Sequence, residues 1–411
     1  MMRYLRKSPL IVYIFRLVKR VFNYFNRILF YNSKLRNERC NFNIYYKNIF
    51  FGYYDKSPFN NEKSNLMILH GNNQNAWQKP KSSFPTSIIL FDLKRNIVVK
   101  KVDKTYAWNW QQGSRVHWIN SNKVIYNMYN EQNDTYYSKI YDINLETYMD
   151  LPYPVQDSYK NYILSISYED LTDIRPDYGY NAHKKGNSAT RGQIIYYDFI
   201  NKNEEVLLDR SDITQLIMES NKNLSLNNLD KVKINHCMIS PEGDKFIYLL
   251  RYFYKGQRHT DTYLYELKRK VNKLIIKDSG VSHYNWINNN EVIFTAKIDG
   301  EFGYNVINLS NLKVKNILNY TDGHPTMINC DKFITDTYSD NNNVRRLMIY
   351  NNSNNSMTMI KEYIEPIIFQ GVCRIDLHPS LSFDKKYIQV DYAHRNKRKI
   401  DIIKMEEDLI E

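Results

Sequence analysis

From about residue 50 to the C-terminus, apolar and polar positions fall into short strand-like runs broken by turn chemistry, and the runs recur. Within 236–251, a turn carrying Ser240, Pro241 and Gly243 precedes an apolar strand. Residues 262–267 and 273–277 read as two further strands, and 283–294 reopens the same pattern. Self-similarity at roughly 40–50 residues, all strand and turn, is the signature of a β-propeller. Seven units are expected: 50–104, 105–156, 157–210, 232–280, 281–319, 320–362 and 363–408. The third carries a long insertion, 170–191, and a polar helical stretch, 211–228, precedes the fourth. The predicted fold is all-β, a seven-bladed propeller over 50–408 behind an N-terminal basic amphipathic helix within 1–37. Such a fold gathers distant residues at one central funnel.

In the N-terminal segment the periodicity changes. Ser8 and Pro9 suit an N-cap and the first helical position. Leu10, Ile14, Leu17, Val21, Phe25 and Ile28 then recur at the spacing of one helix face, with Arg16, Lys19, Arg20, Asn23 and Arg27 largely opposite. The apolar run 10–15 is far short of the roughly 20 residues that span a bilayer, and no small-residue cleavage site follows it. One reading is a helix lying on an anionic membrane surface through residues 8–31, with Phe15, Phe22, Phe25 and Phe30 as anchors. It implies a cytoplasmic protein peripheral on the inner face of the membrane. The other reading is a helix packed on the propeller or on a partner.

Charge sharpens this division. The net charge is +13, and residues 1–37 hold nine Lys and Arg with no acid. The propeller is therefore not a strongly basic nucleic-acid binder. Cys40, Cys237, Cys330 and Cys373 form no C-x-x-C pair, and free thiols are expected. Gly is scarce at 13 and no Gly-rich phosphate loop occurs, which argues against nucleotide-sugar binding on a Rossmann-type fold.

Several stretches then fall in a telling order. They are FGYYDKSP at 51–58, WNWQQG at 108–113, RPDYGY at 175–180, INH at 234–236 and SHYNW at 282–286, followed by DGH at 322–324, TDTY at 335–338 and DLHP at 376–379. As an ordered set covering roughly 50–400, they resemble the seven-bladed propeller polysaccharide lyases of the oligogalacturonate lyase and ulvan lyase type. The resemblance implies β-elimination on a uronate-containing glycan. That chemistry needs a cation or donor on the C5 carboxylate, a base for the C5 proton and an acid for the leaving oxygen.

The candidate residues follow from those needs. His236 is either the general base or a structural His bonding a neighbouring blade, and His283 holds the equivalent place one blade later. Arg175 and Tyr178, on the long insertion, suit carboxylate neutralisation and proton donation, or else merely hold their own loop. Arg251 is a further carboxylate candidate or a solvated strand-end Arg. Asn109, Gln111 and Gln112 offer sugar-binding amides beside Trp108 and Trp110. His324, Asp336 and His378 suit a divalent metal, zinc or manganese, or form a plain His/Asp network. The similar lyases tend to show Arg-Cys-Asp-Leu-His-Pro where this chain has Ile375, with Cys373 as a conceivable substitute on the same strand face.

The leading expectation is a propeller acting as a lyase on an acidic glycan. Two alternatives stand beside it: a glycan-binding or modifying protein of surface-polysaccharide (capsule or O-antigen) assembly at the inner membrane, and a protein-interaction scaffold.

Overall fold

The computed structural model describes residues 42–184, 193–221 and 229–410, with 18, 21 and 22 alone of the preceding segment. Those three are helical, and the rest of the helix expected within 1–37 lies outside the described residues. Among those described, no helix is long and apolar enough to cross a membrane.

Seven antiparallel sheets span 48–105, 117–151, 157–208, 229–276, 284–318, 326–364 and 380–404. Six have four strands in sequence order, and the seventh has three. This is a seven-bladed β-propeller. Burial explains the strand patterns. The second strand of the fourth blade, Lys245–Tyr254, buries seven successive residues because neighbouring blades cover both its faces. The fourth strand of the second blade, Thr147–Leu151, exposes four of its five. The ring closes where Asn48–Phe50 meets the third strand of the last blade: the Arg398 amide donates to Asn48 Oδ1 at 3.1 Å.

Among the described residues, two α-helices interrupt the strands. The insertion of the third blade begins with α1, Tyr168–Ile174, capped by the Ser167 hydroxyl on the Asp170 amide. The stretch expected to be helical over 211–228 contains α2, Arg210–Ser220, started by a capping box between Asp209 and Asp212. Residues 222–228 lie outside the described set.

Residues 51–57 cross the funnel and tie five blades together. The Phe51 and Gly52 amides donate to Asp391 in the seventh blade, at 3.0 and 3.2 Å. Tyr53 reaches His236 and Tyr54 reaches Tyr284, in the fourth and fifth blades. Asp55 takes a two-point ion pair from Arg115, both bonds 2.8 Å, and Lys56 bonds Asp157. Cys237, Cys330 and Cys373 are free thiols.

Candidate functional site

Register, rather than residue spacing, builds the site. Met238 pairs with Ile247, Asn285 with Ile293, Thr326 with Ile334 and Ser380 with Gln389. Each partner is the third residue of its blade's second strand. Two residues ahead of each inner-strand member stand His236, His283, His324 and His378. Four consecutive blades therefore present an imidazole at one level of the funnel. His236 and His378 adopt positive φ, 50° and 45°, which turns them out of the strand ladder. Ring centroids are 6.0 Å apart for His236–His283, 4.1 Å for His283–His324 and 4.4 Å for His324–His378.

The crossing segment brings two tyrosines to this arc. Tyr53 Oη lies 2.9 Å from His236 Nε2, with the rings stacked. Tyr54 packs on His324, centroids 5.0 Å apart. Tyr178 descends from the insertion and meets both Tyr53 and His236 edge to face, at 5.7 and 5.6 Å. Sequence reading missed Tyr53. FGYYDKSP was noticed as a motif, but nothing local places its first Tyr across the ring from its own blade.

The metal expectation needs one correction. His324 Nδ1 bonds Asp336 at 2.8 Å, and the same carboxylate accepts the amides of His324 and His378. Asp336 thus orients the histidines from behind instead of facing the ion position. The acid that faces them is Asp376: ligand atoms of His324, Asp376 and His378 lie within 4.8 Å of one another. Nε2 of His324 and of His378 are buried without hydrogen-bond partners, which suits nitrogens able to take a metal ligand role. Two imidazoles and a carboxylate fit manganese or zinc. Asp376 also pairs with Arg374 at 2.7 Å and Arg345 at 3.0 Å, so a cation there shares its charge. Cys373 does not replace the missing Cys. Its side chain joins Ile375, Phe369 and Trp110 in an apolar cluster.

Arginines roof the histidines. Arg175 grips Asp177 with Nε and Nη2 at 2.8 and 2.6 Å, and Arg374 reaches the same carboxylate at 2.8 Å. Both guanidinium groups lie over the Tyr178 ring. Arg251 is buried, not solvated: Nη2 donates to the Val281 carbonyl at 3.0 Å, and Nε has no hydrogen-bond partner. Two of the three amides expected to bind sugar donate to the backbone instead. Asn109 Nδ2 donates to the Tyr178 carbonyl and Gln111 Nε2 to the Arg374 carbonyl, at 2.8 and 2.9 Å. They pin the two arms of the roof, and Gln112 is buried beside them. Gly113 permits the tight turn that holds them, since a Cβ there would strike His70.

Burial sets the protonation states. Desolvation, followed by the Arg251 charge, pushes His236 well below the usual imidazole range. His283 is also lowered by burial despite its 3.0 Å bond to Asp322. Asp322 is brought down to about 2 against its own burial, chiefly by His283. Tyr53 Oη and His236 Nε2 share one hydrogen bond whose donor is set by the imidazole tautomer.

No protein-family model matches the chain, and no curated protein matches its sequence. Solved structures do resemble it. An oligogalacturonate lyase in complex with manganese superposes with a TM-score of 0.59 at 12% identity, over 89% of this chain and 92% of that one. The oligogalacturonate lyase from Vibrio parahaemolyticus gives 0.58 at 12% identity, over 88% and 92%. At that identity the likeness establishes a shared seven-bladed architecture with this lyase group, and the fold alone.

Proposed function

We propose that the protein binds a uronate-containing acidic glycan and cleaves it by β-elimination. The observation that carries this reading is the meeting of His236, Tyr53 and Tyr178 beneath Arg175 and Arg374. The manganese complex of the similar lyase supports it at the level of the fold.

In this reading a guanidinium neutralises the C5 carboxylate, which acidifies the C5 proton. His236 takes that proton, and its stacking and hydrogen bond with Tyr53 orient the ring. The C5–H electron pair forms the C4=C5 double bond while the C4–O bond breaks. Tyr178 gives its proton to the departing oxygen. The anionic substrate raises the basicity of His236 by opposing the Arg251 charge that depresses it. His324, Asp376 and His378 would hold a divalent ion, which would supply Lewis acidity toward the carboxylate. The test is ultraviolet absorbance of the unsaturated product across a panel of uronic-acid polymers. Silence across the panel sinks the lyase reading.

A second reading, glycan handling in surface-polysaccharide assembly at a membrane, is favoured by one feature: nine cations and no acid within 1–37. Deleting residues 1–36 is then expected to move the protein from the membrane to the soluble fraction. Sedimentation of the truncated form with membranes overturns that reading.

A further inference from the structure

We propose that Arg175 and Arg374 form a carboxylate subsite at the funnel mouth, which Asp177 fills as an internal stand-in for the ligand. The inference rests on the glycan reading above and deepens it by naming where one substrate carboxylate docks. Arg175 offers Nε and Nη2 to the two oxygens of Asp177, the two-point geometry by which Arg recognises any free carboxylate. Arg374, arriving from the seventh blade, closes on the same group from the other side. Among the described residues, the Asp177 carboxylate bonds only to these two side chains. The Arg175 and Arg374 side chains are 28% and 18% exposed while that of Asp177 is 9% exposed, so the clamp opens toward solvent.

The wall behind the clamp is short of negative charge. Arg251 is buried and, among the described residues, donates to backbone carbonyls and pairs with no carboxylate. Lys233 is buried on the same side and lowered to about 6, first by desolvation and then by the charges of Arg175 and Arg251. A wall of this kind accepts an incoming anion in addition to Asp177 or in its place. Arg374 also holds Asp376, so exchange at the clamp reaches the group that faces the two histidines. Asn109 and Gln111 fix the backbone of both arms, which keeps the guanidinium groups spaced for a carboxylate when Asp177 leaves.

Removing the competitor is the test. Tri-galacturonate binding to the full chain is measured by calorimetry, alongside thermal protection by malonate as a simple carboxylate. Asp177→Asn and Asp177→Ala are expected to bind tri-galacturonate on the order of tenfold tighter than the native chain, because the competent state is no longer self-occupied. Adding Arg374→Leu is expected to erase the gain. If both Asp177 variants fold with native-like cooperativity yet bind with equal or lower affinity, Asp177 only braces the arginines and the subsite is refuted. If tri-galacturonate binds none of the proteins but malonate protects the Asp177 variants more than the native chain, the subsite stands and the uronate reading falls.

Discussion

Tyr53 Oη and His236 Nε2 lie 2.9 Å apart although 183 residues separate them in the chain. The bond spans the funnel from the crossing segment to the fourth blade. It couples a phenol to an imidazole that burial keeps neutral. A pair like this either transfers a proton to or from a substrate or merely fastens the segment, and mutation separates the two roles.

Tyr53→Phe keeps the stacked ring and removes only the hydroxyl. It is expected to lower kcat of the proposed elimination by roughly 10–100-fold with little change in KM. His236→Gln is expected to cost about 10²–10⁴-fold, the usual contribution of a general base. Both are read from product absorbance. Full activity in His236→Gln removes it from the base role.

Metal binding is expected to depend on His378 more than on Asp336. His378→Ala deletes a ligand nitrogen and is expected to abolish stoichiometric manganese or zinc in elemental analysis. Asp336→Asn only loosens the orientation of His324 and is expected to weaken affinity about 10–100-fold. Absence of stoichiometric metal in the native protein, purified and then supplied with either ion, disposes of the site.

The crossing segment makes a stability prediction. Arg115 and Asp55 are 1% and 4% exposed and paired at two points. Arg115→Ala leaves the Asp55 carboxylate buried without its partner, at an expected cost of about 3–5 kcal/mol. Replacing both residues by apolar ones of similar size is expected to recover much of that loss. Urea denaturation of the single and double variants measures the difference.

Acid sensitivity follows from Asp177, whose carboxyl is held at about 2 by Arg175 and Arg374 against the opposing effect of burial. A depressed folded value means that the unfolded chain binds the proton more tightly below pH 4. The contribution is present above the ordinary carboxylate pKa of about 3.9 and is lost as pH falls through 2. Its size at neutral pH is on the order of 2 kcal/mol. Asp177→Asn is therefore expected to be less stable than the native chain at pH 6 and to converge with it near pH 2. Parallel curves at all pH values contradict the assignment.

Much of the architecture was legible in the chain because propeller strands are local. Each blade is a meander of neighbouring segments, so alternation and turn residues report it directly. His236 and His283 are matched for the same reason, since equal distance ahead of an inner strand is countable in one dimension. The identity of the acid facing His324 and His378 is not countable. Asp336 and Asp376 both follow inner-rim patterns, and only strand register decides that Asp336 lies behind the ring while Asp376 faces it. Asn109 and Gln111 show the same limit, because side-chain amides bind sugar or backbone equally well until their neighbours are known. The sequence by itself determined seven repeating strand units, a basic segment ahead of them and a supply of imidazoles at blade entries. Tertiary structure alone decided that residues 51–57 traverse the funnel, that Tyr53 meets His236, and that Arg374 closes over Asp177 from 197 residues away. The physical reason is that ring closure sets which blade entries face one another across the axis, and no local pattern encodes that angle.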